Sequence, residues 1–196
     1  MGVGYEYATF TNSTFNRFVT ASGDVLTADF ESGLNINKYA AFSQLSRGFI
    51  ANRLVLSLGI RSDIAGFNEA TINPLDQVSP RFSASYQFAS KWSVNASVGR
   101  FYQLPPYTIL GFRDNNNNLV NRQNDITYIS CDHIVFGFEY LPRMNTKMTI
   151  EGFYKQYDNY PFLTRDSVSL ANLGSDFGVI GNDPAVPISM GRSYGL

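Results

Sequence analysis

The stretch that decides the fold reads Ser79-Pro80-Arg81-Phe82-Ser83-Ala84-Ser85-Tyr86-Gln87-Phe88-Ala89-Ser90-Lys91-Trp92-Ser93-Val94-Asn95-Ala96-Ser97-Val98-Gly99-Arg100-Phe101-Tyr102-Gln103. Phe82, Ala84, Tyr86 and Phe88 alternate with Arg81, Ser83, Ser85 and Gln87. After a short break, Trp92, Val94, Ala96 and Val98 alternate with Ser93, Asn95, Ser97 and Gly99. Successive side chains of a strand point to opposite faces, so each segment is a strand with one apolar and one largely polar face. The same period of two recurs at Leu54, Leu56, Leu58 and Ile60, at Ile134, Phe136, Phe138 and Tyr140, and at Met148, Ile150 and Tyr154; weaker candidates are 3–11 and 35–45. The pattern gives about seven strands and no segment of helical periodicity. Parallel strands would read as continuous apolar runs joined by crossover helices, so the sheet is expected to be antiparallel.

The connections are expected to alternate strictly between long (about 12–34, 63–79, 104–126, 159–192) and short (46–51, 89–91, 141–146). Up-and-down outer-membrane barrels have this signature, with tight turns at one end and long loops at the other. A soluble sandwich has no reason to send every long loop to one end. Several segments reach 10–14 residues, beyond the 5–6 common in globular proteins and enough for a tilted strand to cross a bilayer. Aromatic residues stand at both ends: Tyr86, Phe88 and Trp92 beside a short turn, and Phe101, Tyr102, Tyr107, Tyr154, Tyr157 and Tyr160 towards the other. Rings with an apolar body and a polar tip favour the two membrane interfaces.

Composition agrees. The 196 residues are 44% hydrophobic and 15% aromatic but only 16% charged, with net charge −1. A soluble domain carries about 25% charged residues. The absence of a basic patch argues against nucleic acid as a partner. One cysteine, Cys131, and one histidine, His133, exclude a disulfide scaffold and most metal or triad chemistry. No run approaches 18 apolar residues, which excludes membrane-spanning helices but not strands. The N-terminal residues have neither a basic nor an apolar signal region, so no signal peptide is expected within this stretch.

The run Asn73-Pro74-Leu75-Asp76-Gln77-Val78-Ser79-Pro80-Arg81, the turn before Trp92, and Gly99-Arg100-Phe101-Tyr102 closely resemble the barrel of TonB-dependent outer-membrane receptors, particularly of the Bacteroidetes type. Glu151-Gly152-Phe153-Tyr154-Lys155, Tyr157-Asp158-Asn159-Tyr160-Pro161 and Gly191-Arg192-Ser193-Tyr194-Gly195 are similar to that family as well. The resemblance implies an all-β, antiparallel, up-and-down transmembrane barrel of 22 strands. At about 28 residues per strand, such a barrel needs roughly 600 residues. Residues 1–196 are therefore expected to be part of the barrel domain, with the plug domain and signal peptide outside this chain. The implied function is energised uptake of a scarce nutrient (siderophore-iron, cobalamin or glycan) across the outer membrane of a Gram-negative bacterium. The implied partners are the TonB energising complex, the receptor's own plug, outer-membrane lipid and the nutrient, with no cofactor and no enzymatic step. A passive porin-like barrel and a soluble ligand-binding β-sandwich are the alternatives.

Few residues suggest local chemistry. Arg113, Asp114, Asn116, Asn118 and Asp125 lie in an Asn-rich loop, where long loops on a rigid scaffold carry binding, and are the expected substrate contacts. Asp114 to Asp125 also has the oxygen-ligand spacing of a calcium loop. Leu119 stands where the turn needs Gly and Asp125 where Glu is usual, which favours a solvated, turn-forming loop. Cys131 and His133 share a strand face without a second ligand pair, so a structural role is expected. Glu139 and Glu151 are explained by cross-strand pairing with Lys147, Lys155 and Arg81. Arg53, Arg61, Arg81 and Lys91 occupy the polar face, positioned to meet a plug or to set the charge of a lumen.

Overall fold

The computed structural model of the chain describes residues 1–20, 22–114, 116–124, 126–143, 145–165, 167–172 and 187–196. Within them, strands β1 (Gly2–Val19), β2 (Val25–Phe49), β3 (Leu54–Ala65), β4 (Val78–Ala89), β5 (Trp92–Gln103), β6 (Ile129–Arg143), β7 (Thr146–Leu163), the two-residue β8 (Val168–Ser169) and β9 (Pro187–Gly195) form one antiparallel sheet. From β1 to β8 each strand pairs with the next in sequence, and β9 pairs with β7. This is the up-and-down wall of a barrel, in agreement with the expected fold class.

The strand count exceeds the expected seven. Most of the long connection at 12–34 is strand: β1 and β2 pair from Gly2–Phe42 to Val19–Val25. Likewise, Pro187–Gly195 of the expected connection 159–192 is strand, paired with β7. The first of these segments escapes the period-two reading for a physical reason. The lower wall is apolar along one face, whereas the upper part of the β1–β2 hairpin carries polar residues on both faces (Asn12, Thr14, Asn16, Asp29, Glu31), and its buried Phe30 and Leu34 are interrupted by Ser32, so no unbroken apolar stripe marks it. The absence of helices is corrected in a minor way. Four-residue helices α1 (Glu69–Ile72) and α2 (Tyr107–Leu110) and two 3-10 turns lie in the long connections.

The register aligns the apolar positions into one continuous face. Leu45, Leu58, Phe82, Val98, Ile134 and Tyr154 stand side by side across six strands, and Leu54, Tyr86, Val94, Phe138 and Ile150 do so across five strands two same-face steps below. Most of these side chains are exposed: Ile150 is 79% and Leu58 62% accessible. Exposed apolar surface on that scale needs a nonaqueous partner. Trp92 stacks on Tyr140 at 4.3 Å and lies 6.5 Å from Phe88, making a lower ring belt at the short turns. Tyr5 and Tyr39, 5.2 Å apart, mark the upper one. From Trp92 to Tyr102 the strand rises ten residues. At about 3.3 Å each and a tilt of about 45°, that spans roughly 23 Å, close to the ~25 Å apolar band of an outer-membrane barrel. The charged pairs Arg100–Asp132 and Asp158–Arg192 begin on the outer face at about that height.

Packing in the ordinary sense lies above the sheet. Leu34, Ile36, Ala65, Phe67, Leu110, Ile126 and Tyr128 form a buried cluster where connections 66–77 and 104–128 fold against the upper inner side of β2. The first connection is nucleated by a capping box. The Asn68 side chain accepts from Thr71 N at 3.0 Å, and Asn68 N donates to Thr71 Oγ1 at 3.1 Å. Asn68 Nδ2 then donates to Ile126 O at 2.9 Å, joining the two connections. The second connection adds to the free edge of β2 above β3. Gly33 N donates to Gly111 O at 2.8 Å and Arg113 N to Glu31 O at 3.2 Å. A two-stranded hairpin alone is only marginally stable; this third segment supplies the missing support and covers an edge that would otherwise pair indiscriminately.

Candidate functional site

The inner face of the sheet carries the polar set, and its register gathers charge under the loop layer. Glu6 of β1 sits directly opposite Lys38 of β2, and the two form an ion pair at 2.6 Å. On β3, Arg61 and Asp63 share a face two residues apart. The guanidinium grips the carboxylate with two bonds, Nε to Oδ2 at 2.8 Å and Nη2 to Oδ1 at 2.6 Å. The guanidinium of Arg81 on β4 sits over the ring of Phe101 on β5, its carbon 4.3 Å from the ring centroid. Gly99, directly across from Arg81, makes room for this stack: a Cβ there would stand 3.2 Å from Arg81 Cγ and 3.3 Å from Phe101.

Pro105, Pro106 and Tyr107 roof these groups, and Tyr128 closes one side, leaving a cleft of about 670 Å³. That volume falls within the range of small-molecule sites. Three cations and two carboxylates line it, so it carries one net positive charge. Burial pushes the Tyr128 hydroxyl above the ordinary tyrosine range, reinforced by the nearby Asp63 carboxylate, and the phenol stays protonated. From Phe101 the ring row continues along the inner face. His133 lies edge-on to Phe101 at 6.1 Å and to Phe153 at 6.4 Å, and the Lys155 ammonium is 5.3 Å from Phe153. Arg81, Phe101, His133, Phe153 and Lys155 thus form a cation-capped ladder across four strands. The arrangement can hold a ligand by ion pairing, hydrogen bonding and stacking.

The four polar-face cations divide by height. Arg61 and Arg81 line the cleft. Arg53 and Lys91 brace the short turns at the opposite end, with Arg53 donating to Gln87 O at 3.0 Å and Phe88 O at 2.9 Å, and Lys91 to Pro142 O at 3.0 Å. His133 and Cys131 face inward, and His133 is held between rings. Glu139 pairs with Lys147.

The expected contact loop occupies a different place from the cleft. Arg113 is anchored to the wall and to its own turn, donating to Gly33 O at 3.1 Å and Asn117 O at 2.7 Å. Asp114 Oδ1 accepts from the backbone amides of Asn116 at 2.9 Å and Asn118 at 2.8 Å; Oδ2 accepts from Asn118 Nδ2 at 3.1 Å. The amide of Asn118, then its side chain and the amide of Asn116, hold the Asp114 carboxyl below the usual carboxylate range. Asn117, at φ 64°, closes a tight turn that no β-branched residue would tolerate. Arg113, Asp114 and Asn118 thus build the loop, and the exposed Asn116 sits at its tip. Asp125 lies outside the described residues. Among those described, no three His, Cys, Asp or Glu residues gather to hold a metal, and both Asp114 oxygens already accept amide bonds. The cleft residues were missed as a set because they come from separate strands, and only the register brings them together.

Known proteins give one match over the full length. The family model for the TonB dependent receptor-like β-barrel covers residues 1–196. No curated protein matches the sequence. Among solved structures, the chain is similar to the alcaligin outer-membrane receptor FauA of Bordetella pertussis, at 13% identity and a TM-score of 0.45. That match covers 98% of this chain and 35% of the receptor, so the chain spans about a third of that protein's length, and the likeness is too distant to transfer a ligand. With its two-faced antiparallel wall and a family match along every residue, the chain belongs to the TonB-dependent receptor-like β-barrel family.

Proposed function

We propose that this chain is part of the wall of a 22-stranded outer-membrane receptor, of the Bacteroidetes type, that takes up a scarce nutrient in a TonB-dependent cycle. The observation that carries this reading is the contrast between the two faces. One is apolar and bounded by ring belts; the other is polar and holds a roofed, charged cleft on the side of the long loops. Lipid suits the first face, and a plug domain supplied by the rest of the receptor suits the second. The nutrient arrives from the loop side and is held non-covalently among loops, wall and plug. The energising complex then acts on the plug to open a path along the polar face. No bond is made or broken in this cycle, and the wall residues act by binding and positioning.

The test is whole-cell uptake by the complete receptor, with a ferric siderophore, cobalamin and an oligosaccharide as radiolabelled probes, in cells with and without TonB. Saturable uptake of one probe that disappears without TonB is expected. Uptake that is size-limited, non-saturable and indifferent to TonB would make this a passive pore.

A further inference from the structure

Of the five charged groups in the cleft, four are already matched: Lys38 with Glu6, and Arg61 with Asp63. Arg81 has no carboxylate partner among the described residues. Its guanidinium sits over the face of Phe101. A guanidinium stacked on a ring keeps its N–H donors in the plane of the group, pointing sideways. That is the geometry that receives a carboxylate through two parallel bonds. The stack is tightly fitted, since a Cβ at position 99 would force Arg81 Cγ, the Phe101 ring or the Pro80 carbonyl to give by a few tenths of an ångström. Across the cleft, Pro106 and Tyr107, seated on the buried Pro105, present an apolar, ring-bearing roof.

We propose that the cleft binds an organic carboxylate, with Arg81 gripping the carboxylate and the apolar body of the ligand lying beneath Pro106 and Tyr107. This rests on the reading of the polar face as the inside of a receptor, and it narrows the nutrient to an anion carried on an apolar or ring-bearing frame. The excess of one positive charge favours a monoanion over a dianion or a neutral sugar. Arg61 is a weaker candidate for the same task because Asp63 already occupies both of its forward donors.

The experiment uses the complete receptor in detergent micelles, titrated with naphthalene-2-carboxylate and its neutral amide, binding being read by probe fluorescence. The carboxylate is expected to bind at least tenfold more tightly than the amide. Arg81→Gln should remove about tenfold or more of the carboxylate affinity, the range for losing a hydrogen-bonded charge, and leave the amide unchanged. Lys91→Gln, at the opposite end of the wall, should change neither. Equal affinity for acid and amide, or equal loss of both in Arg81→Gln, would overturn the proposal. So would failure of either probe to bind while Arg81→Gln lowers the receptor's melting temperature, because Arg81 would then be held by a carboxylate of the receptor itself. TonB-dependent uptake that persists alongside any of these negative results would leave the transport reading standing and remove only the ligand class.

Discussion

Gly111→Ala tests how the loop layer is fixed to the wall. Gly111 has φ −89°, which alanine adopts freely, so the change acts through space alone. An added Cβ would meet three backbone atoms: Tyr107 O at 2.9 Å and, on the far side of the seam, Gly33 N at 3.1 Å and Gly33 C at 3.2 Å. Backbone cannot swing aside like a side chain, so connection 104–128 must retreat by a few tenths of an ångström. The seam holds two backbone bonds, Gly33 to Gly111 and Arg113 to Glu31, and two side-chain bonds, Ser32 Oγ to Thr108 O at 2.7 Å and Arg113 Nε to Gly33 O at 3.1 Å. At a net worth of about 1 kcal/mol each, losing or weakening two to three of them costs about 2–3 kcal/mol. Local opening should then become about 30- to 150-fold more populated. Hydrogen–deuterium exchange of the complete receptor should show that acceleration in peptides covering 30–36 and 108–114, with the strands below unchanged. Gly152→Ala is the matched control, because nothing lies within 4 Å of a Cβ there. Unaltered exchange in 30–36, or equal acceleration in the control, would refute the idea that the seam holds the loop.

Phe67, 2% accessible in the loop cluster, should cost about 3–5 kcal/mol when replaced by alanine; proteolysis within 104–128 should rise sharply while the heat-dependent gel shift of the folded barrel is retained. Ile134→Arg should destabilise the wall by about 2–4 kcal/mol in urea unfolding from lipid vesicles, because Ile134 lies mid-band on the outer face, whereas Val135→Arg on the inner face should cost far less. The Asp114 carboxyl is held below its ordinary range, so its turn is fully stabilised above the usual aspartate range and loses that support as pH falls through the lowered value. Amide exchange at Asn116 and Asn118 should therefore accelerate on acidification, and Asp114→Asn should abolish the dependence.

Alternation made β3 to β7 legible because their outer face is an unbroken apolar stripe, as in Leu54, Leu56, Leu58 and Ile60. Above that band the stripe ends. Residues 12–19 and 25–34 pair as regularly as any in the sheet, yet Asn12, Thr14, Asp29 and Glu31 look like a loop. The cleft was visible only in fragments. The polar placement of Arg61 and Arg81 follows from parity, but their meeting with Lys38, Phe101 and Tyr107 depends on registers that a single sequence does not encode locally. The Asn-rich loop drew attention as a binding segment through its composition. In the structure, Arg113 and Asp114 hold the loop together, and Pro105 to Tyr107, near its start, reach the cleft.

The seam between Gly33 and Gly111 has a thermodynamic consequence for whatever enters beneath it. A roof hung from a free loop must be ordered by each arriving ligand, and every immobilised residue subtracts from affinity. Here the roof is fastened to a strand that continues unbroken from the outer tip down into the wall. The ordering entropy is spent once, during folding, and binding incurs little of it again. A ligand that enters then meets a cleft whose width is set by strand register, independently of the ligand.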